Sequence, residues 1–307
     1  MARPQHGIFA EGTTAHHHLE LELRDGVADH DIVAAVAATR LAGEARRTNG
    51  GVSVVVGFRP SVWARLGDPV GGRDFAGYRA VDGVAEAPAT QRDVWLWVHG
   101  PGRDVVLDVL RPAVAAWDGV AEVVLDLDGF TYHDSRDLTG FIDGTANPHL
   151  DEAPDVAATP EGTPGAGGCF AMTMMFRHDL DAFDALEVAD QERVFGRTKV
   201  DGVELEGDAK PADAHISRVE VDDDRGEELK VYRRSVPWAT GTEQGLYFVS
   251  FGADLERFDV QLRHQYGLVD DGVTDRLLQF TTPLTGSFWY CPSTEDLDRL
   301  APLPDDD

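Results

Sequence analysis

Residues 19–24 read Leu-Glu-Leu-Glu-Leu-Arg, and this stretch sets the first element of the fold. Leu19, Leu21 and Leu23 alternate with Glu20, Glu22 and Arg24, a period of two that predicts a strand with one apolar and one wet face. Downstream, Val33, Val36, Ala37 and Leu41 mark one side of an amphipathic helix, with Asp29 or Asp31 as its N-cap. Strands are expected at 52–58 (VSVVVGF) and 93–98 (DVWLWV), then a helix near 102–116 and a strand near 120–127 (VAEVVLDL). Strand, helix, strand, given twice, is the ferredoxin-like order.

The stretch 149–168 is rich in Pro, Gly, Ala and acid and reads as a connecting loop. Beyond it the order begins again. Phe170, Met172, Met174 and Phe176 alternate as a strand, and 180–194 is broadly helical. Strands follow at 228–234 (ELKVYRR) and 245–251 (GLYFVSF), then a helix near 253–265 and a last strand at 286–291 (GSFWYC). No residue-level repeat joins the halves; only the element order recurs. The expected architecture is α+β, a duplicated ferredoxin-like fold with an N-terminal half (1–148), a connector (149–168) and a C-terminal half (169–307).

Composition narrows the function. The chain has 307 residues, 42% of them hydrophobic, enough for one large core or two joined small ones. No run approaches the roughly 20 apolar residues of a membrane helix, and the N-terminus Met-Ala-Arg-Pro-Gln-His carries no apolar export segment. Cys169 and Cys291 are far apart in sequence and form neither a disulfide framework nor a metal motif, so a reducing cytoplasm is expected. Against 27 basic residues stand 55 acidic ones, a formal net charge of −28. Such a surface repels phosphate backbones, which excludes nucleic acid as a partner.

Three features could carry chemistry. In Leu229-Lys230-Val231-Tyr232-Arg233-Arg234, alternation puts Arg233 on the face of Leu229 and Val231, where a guanidinium needs an anion or a polar cofactor unless its head escapes to solvent. Gly140-Phe-Ile-Asp143-Gly144-Thr-Ala-Asn-Pro148 forms a tight, shaped loop that can hold a carboxylate, although Asp-Gly is also an ordinary turn dipeptide. His215 sits in a loop, Pro211-Ala-Asp-Ala-His-Ile-Ser-Arg218, upstream of the Arg233 strand. His16, His17 and His18 lie on the first strand, where neighbours point to opposite faces and cannot converge on one metal. No zinc-protease, nucleophile-elbow or phosphate-loop motif is present.

The loop 140–148 resembles the GxxDG motif of the dye-decolourising peroxidases. FGRTK (195–199), DAHISR (213–218), VYRRSVPW (231–238) and DRLLQFTTPLTGSFWYCPS (275–293) also resemble that family, in the same order. The missing export segment and compact length look like its bacterial B-type branch. The resemblance implies haem b held mainly by the C-terminal half, with His215 as the iron ligand and Asp143 and Arg233 as the distal pair. It further implies Arg197 near a haem propionate and Asp275 as the carboxylate behind His215. Ser235 stands two residues after the distal arginine, where some members carry Asn, and is taken as a third distal residue.

The activity so implied is reduction of hydrogen peroxide through a ferryl intermediate, with dyes, phenolics or similar one-electron donors oxidised in turn. The implied partners are peroxide and a small-molecule reducing substrate, with no nucleic acid and no membrane; a homo-oligomer stays open. Trp238, Tyr232, Tyr247, Trp289 and Tyr290 are candidate electron relays or plain core aromatics. A haem carrier or iron-releasing protein without turnover would use the same His215 and Arg233, and a cofactor-free binding module is the third reading. The acidic tail from Leu300 to Asp307 has no apolar docking peptide for a protein shell.

The charge imbalance makes a prediction. Self-repulsion at a net −28 destabilises the compact state at low ionic strength, and salt screens it. The melting temperature should rise between low salt and about 1 M chloride, where the screening length falls to about 3 Å; a flat or falling curve would show that the carboxylates are already paired or too dispersed to matter.

Overall fold

The structure, a computed structural model, describes residues 2–222, 226 and 228–304. The N-terminal half contains β1 (Ala15–Leu23), α1 (Asp29–Gly50), β2 (Ser53–Phe58), α2 (Pro60–Leu66), the small hairpin β3 (Tyr78–Arg79) and β4 (Glu86–Ala87), β5 (Val94–Gly100), α3 (Arg103–Ala115) and β6 (Ala121–Phe130). After α4 (Ala153–Ala157) come β7 (Cys169–His178), α5 (Leu180–Asp184), α6 (Val188–Phe195), α7 (His215–Val219), β8 (Tyr232–Arg233), β9 (Val236–Ala239) and β10 (Gln244–Gly252). The chain ends with α8 (Glu256–Gln265), β11 (Thr281–Pro283), β12 (Ser287–Cys291) and α9 (Thr294–Leu300).

The main strands pair antiparallel in two groups, β2-β5-β1-β6 and β12-β7-β10-β9. Single residue pairs, Tyr290 with Phe58 and Gly129 with Trp238, join the groups at two seams. Because β7 also pairs with β10, the strands close into a ring. The closed interior is filled by Trp95, Trp97 and Val55 from the first group and Tyr247, Val249, Phe251 and Trp289 from the second. Trp95 meets Phe251 at 6.1 Å and Trp289 at 6.3 Å between ring centroids, so aromatic contact bridges the two groups. Helix α1 packs Ile32, Ala35 and Val36 on the outer face of the first group, against Leu19 and Leu21.

Ring closure corrects the reading of β1. Glu20, expected on a wet face, is buried, as are His16 and His18, because the second group of strands covers that face. Tyr247 Oη donates to Glu20 Oε1 at 2.8 Å and Thr173 Oγ1 to the same oxygen at 3.2 Å, both across the interior. Burial depresses the imidazoles, His16 to about 4, with Arg234 adding to the effect.

Other expectations need smaller corrections. Asp29 and Asp31 lie in the first turn of α1, whose N-cap is Ala28, so they oppose the helix dipole charge without capping by side chain. Leu41 is exposed, because the buried stripe of α1 runs through Ile32, Ala35, Val36 and Thr39. The connector contains α4 and is tied to β7 by a bridge between Ala158 and Cys169. The 180–194 helix is two helices, α5 and α6, and the 228–234 strand shrinks to the pair Tyr232–Arg233. Cys169 and Cys291, distant in sequence, face each other as cross-strand partners of β7 and β12, both buried and unbridged. Asp305–Asp307, the end of the tail read as lacking a docking peptide, lies outside the described residues.

Burial pushes the Glu20 carboxyl from 4.5 up to about 7, against the hydrogen bonds from Tyr247 and Thr173. A carboxyl whose folded pKa is raised loses stability as pH climbs, from the unfolded value to the folded one. The protein should therefore weaken between about pH 4.5 and 7, by an amount on the order of 3 kcal/mol at most, and level off above. Glu20→Gln should flatten that slope and melt higher than the parent at pH 8; an unchanged pH dependence of melting would show that Glu20 ionises freely.

Candidate active site

Period two gives β7 and β10 two distinct faces. One face fills the ring interior; on the other, Met172, Met174 and Phe176 of β7 and Leu246 and Phe248 of β10 line a cavity. Its empty space, counted with the open mouth, is about 1340 Å³. Ile216, Leu262, Leu277 and Leu278 complete an apolar enclosure around a few polar groups: Asp143, His215, Arg233, Arg197, Asp275 and the pair Asp137 and His178.

His215 opens the short helix α7 rather than lying in a loop. Its Nδ1 is 2.7 Å from Asp275 Oδ2, and Asp275 is buried at 1% exposure. The other oxygen of Asp275 accepts from Leu277 N–H at 2.9 Å, which caps the 3-10 turn Arg276–Gln279. The carboxylate is thus fixed at both oxygens. With Nδ1–H given to Asp275, the lone pair of His215 stands on Nε2, which has no hydrogen-bond partner among the described residues. Phe195 packs edge-on to the imidazole, centroids 6.2 Å apart.

The loop carrying Asp143 is shaped by glycines in the left-handed region, Gly140 (φ 88°) and Gly144 (φ 80°). A Cβ on Gly140 would also come within 2.7 Å of Lys199 Cε. Asp143 N–H donates to Ser135 O at 2.9 Å, and Arg136 binds the carbonyls of Gly140, Lys199 and Val200, pinning the loop to the segment after α6. Burial raises the Asp143 carboxyl above its ordinary value, and the negative charge of Asp137 adds to this; Arg233 pulls the other way and does not win.

Arg233 lies on β8, across from Ser250. Its Nε is buried with no hydrogen-bond partner, and its side chain makes no ion pair among the described residues. A buried guanidinium nitrogen left unpaired inside an apolar cavity calls for a polar or anionic occupant. Arg197 follows the left-handed cap Gly196 of α6 and reaches the same cavity, with its guanidinium on Gly202 O at 3.0 Å and Glu220 at 3.2 Å. The carboxylate facing it is therefore Glu220, whose own acid is raised by burial and by Glu204.

The fold thus brings Asp143, Arg233, His215, Arg197 and Asp275 into one wall system. Ser235 departs from expectation: it is not part of the cavity wall, and its Oγ accepts from Val249 N–H at 3.3 Å. The hydroxyl fills a ladder position where β8 and β9 are interrupted, so it is held at the backbone of β10.

Two polar features had no sequence signal. Asp137 and His178 are both buried, joined at 3.0 Å, with Thr139 and Thr281 on their remaining atoms. They lie 41 residues apart, and no local pattern joins them. The apolar wall was more legible, since the alternation of Met172, Met174 and Phe176 marks the face that turned out to be the cavity.

Comparison with known proteins agrees with this picture. The N-terminal family model of Dyp-type peroxidases matches residues 5–131 and the C-terminal one residues 134–296. A dye-decolorizing peroxidase of Mycolicibacterium paratuberculosis is 36% identical over 280 residues, covering 85% of this chain and 78% of that protein. The encapsulated DyP-type peroxidase of Mycobacterium smegmatis superposes with a TM-score of 0.90 at 30% identity, over 99% of this chain and 100% of the other. A DypB variant from Rhodococcus jostii RHA1, solved in complex with heme, gives 0.88 at 30% identity, over 97% and 98% of the two chains. With both halves matched, a relative 36% identical covered over 78% of its length and the solved structures covered nearly end to end, the chain belongs to the Dyp-type peroxidase family.

Proposed function

We propose that in this haem peroxidase His215 Nε2 is the protein ligand to the iron, and that Asp143 and Arg233 handle peroxide beside it. The observation that carries the reading is the His215–Asp275 pair on the wall of the apolar cavity that also takes in Asp143 and Arg233, with Nε2 of His215 and Nε of Arg233 both lacking a hydrogen-bond partner among the described residues. The residues suit haem: apolar walls for a flat macrocycle, one imidazole lone pair for iron, and guanidinium groups for carboxylates. When bound, haem supplies the redox chemistry that cleaves the peroxide bond and accepts single electrons from a donor.

The protein's own share is proton and charge handling. Asp275, by accepting from Nδ1–H, fixes the imidazole tautomer and makes Nε2 a stronger donor. Ionised Asp143 takes the proton from one peroxide oxygen and returns it to the other. Arg233, permanently charged in a dry cavity, stabilises the negative charge that develops on the leaving oxygen. Arg197 holds a propionate, its guanidinium shared between that carboxylate and Glu220. Hydrogen peroxide and a small-molecule reductant such as a dye or phenol are the substrates.

The same reading extends to architecture and setting. The identical strand order of the two groups supports a duplicated ferredoxin-like fold, with halves at 1–148 and 169–307 joined by 149–168, and haem held mainly by the second half. Unbridged cysteines standing as cross-strand partners support a cytoplasmic protein. No helix of the described residues is long and apolar enough to cross a membrane. A homo-oligomer is compatible with this assignment.

Two expected outcomes test it. His215→Ala should lose tightly bound haem or its histidine-ligated spectrum, while His17→Ala keeps both; an unchanged spectrum in His215→Ala would sink the ligand assignment. Arg233→Ala should slow the stopped-flow reaction with peroxide by about 10²–10³. Asp143→Ala should slow it less and chiefly remove the acid limb. Because the Asp143 carboxyl is raised, that limb in the parent should lie above the ordinary aspartate value, the rate falling as pH drops through it. Loss of reaction in Asp143→Ala beside a normal Arg233→Ala would reverse the roles.

A further inference from the structure

The guanidinium of Arg233 has no hydrogen bond of its own among the described residues, so its aim depends on how its backbone is held. Arg233 is the cross-strand partner of Ser250, yet the ladder bond to β10 is made by the next residue, Arg234 N–H to Val249 O at 2.8 Å. The N–H and C=O of Arg233 therefore point away from β10, toward an edge where no further strand follows among the described residues. One side chain fills both. Asn147 Oδ1 accepts from Arg233 N–H at 2.9 Å, and Asn147 Nδ2 donates to Arg233 C=O at 2.9 Å.

Asn147 ends the loop that carries Asp143. Its own N–H donates to Gly144 O at 2.9 Å, closing a tight turn directly after the aspartate, while Asp143 N–H is tied to Ser135 at the other side. A carboxamide carries a donor and an acceptor spaced much like a peptide group, so Asn147 acts as one residue of a neighbouring strand. Aspartate could only accept, and alanine could do neither.

We propose that Asn147 is a positioning residue for the peroxide reaction, locking the Asp143 loop to the backbone of Arg233 so that carboxylate and guanidinium keep one spacing. This rests on the roles given above to Asp143 and Arg233. It does not involve His215, so haem retention separates it from a general loss of the site.

The test uses the haem-loaded protein and four chains: parent, Asn147→Ala, Arg233→Ala and the double variant. Asn147→Ala should retain haem and slow the second-order reaction with peroxide by about 10–100-fold, the scale of an ångström-sized misplacement. In the Arg233→Ala background it should add no further slowing. Amide hydrogen exchange at Arg233 should be faster in Asn147→Ala, a readout independent of turnover. Asn147→Asp, which keeps the acceptor and loses the donor, should fall between parent and alanine and serves if Asn147→Ala does not fold. A parental rate in Asn147→Ala beside a slow Arg233→Ala overturns the inference alone, as does slowing that simply multiplies in the double variant. A parental rate in Arg233→Ala removes the reading beneath it, and the positioning role falls with it.

Discussion

The contact on which this structure depends is the face-to-face packing of its two groups of strands. Trp95 and Trp97 of β5 meet Phe251 of β10 and Trp289 of β12 in a closed interior that neither half could fill alone. Large aromatic side chains bury much apolar area in few residues, and their stacking fixes how the sheets sit. The closure also sets the chemistry of the interior. Glu20, His16 and His18 would be harmless on a wet face; enclosed, the imidazoles are kept neutral and the Glu20 carboxyl is pushed up to about 7.

The same packing makes the active site possible. Strands β7 and β10 spend one face on the interior and so present the other, Met172, Met174, Phe176, Leu246 and Phe248, to the cavity. A rigid floor of this kind lets the polar groups come from less regular segments. Asp143 arrives on a glycine-shaped loop from the N-terminal side, His215 on a short helix, Asp275 at a 3-10 turn and Arg233 on a two-residue edge strand. Each is fixed by main-chain hydrogen bonds rather than by a long element, as the paired bonds from Asn147 to Arg233 illustrate.

Local physics explains which expectations held. Alternation in 170–176 and 245–251 predicts strands because a pleated backbone turns every second side chain the same way, and β7 and β10 lie there. It failed at 228–234, where only Tyr232 and Arg233 pair with β10 while Glu228 bridges to Asp222, because nothing in a seven-residue pattern reports whether a partner strand lies alongside. Ser235 was expected in the distal space only by the family resemblance, as the residue standing where some members carry Asn. The interruption between β8 and β9 turned its hydroxyl onto Val249 instead.

By itself the sequence determined most of the longer elements, the apolar faces of the strands and the small set of His, Asp and Arg residues in recognisable motifs, all properties that act over a few residues. Tertiary structure alone decided what covers each face and which distant groups meet. That Glu20 is buried, that Cys169 lies across from Cys291 and that Asp137 pairs with His178 are facts of strand pairing and closure. Residues 41 to 122 positions apart are brought together by an arrangement whose energy no single segment contains.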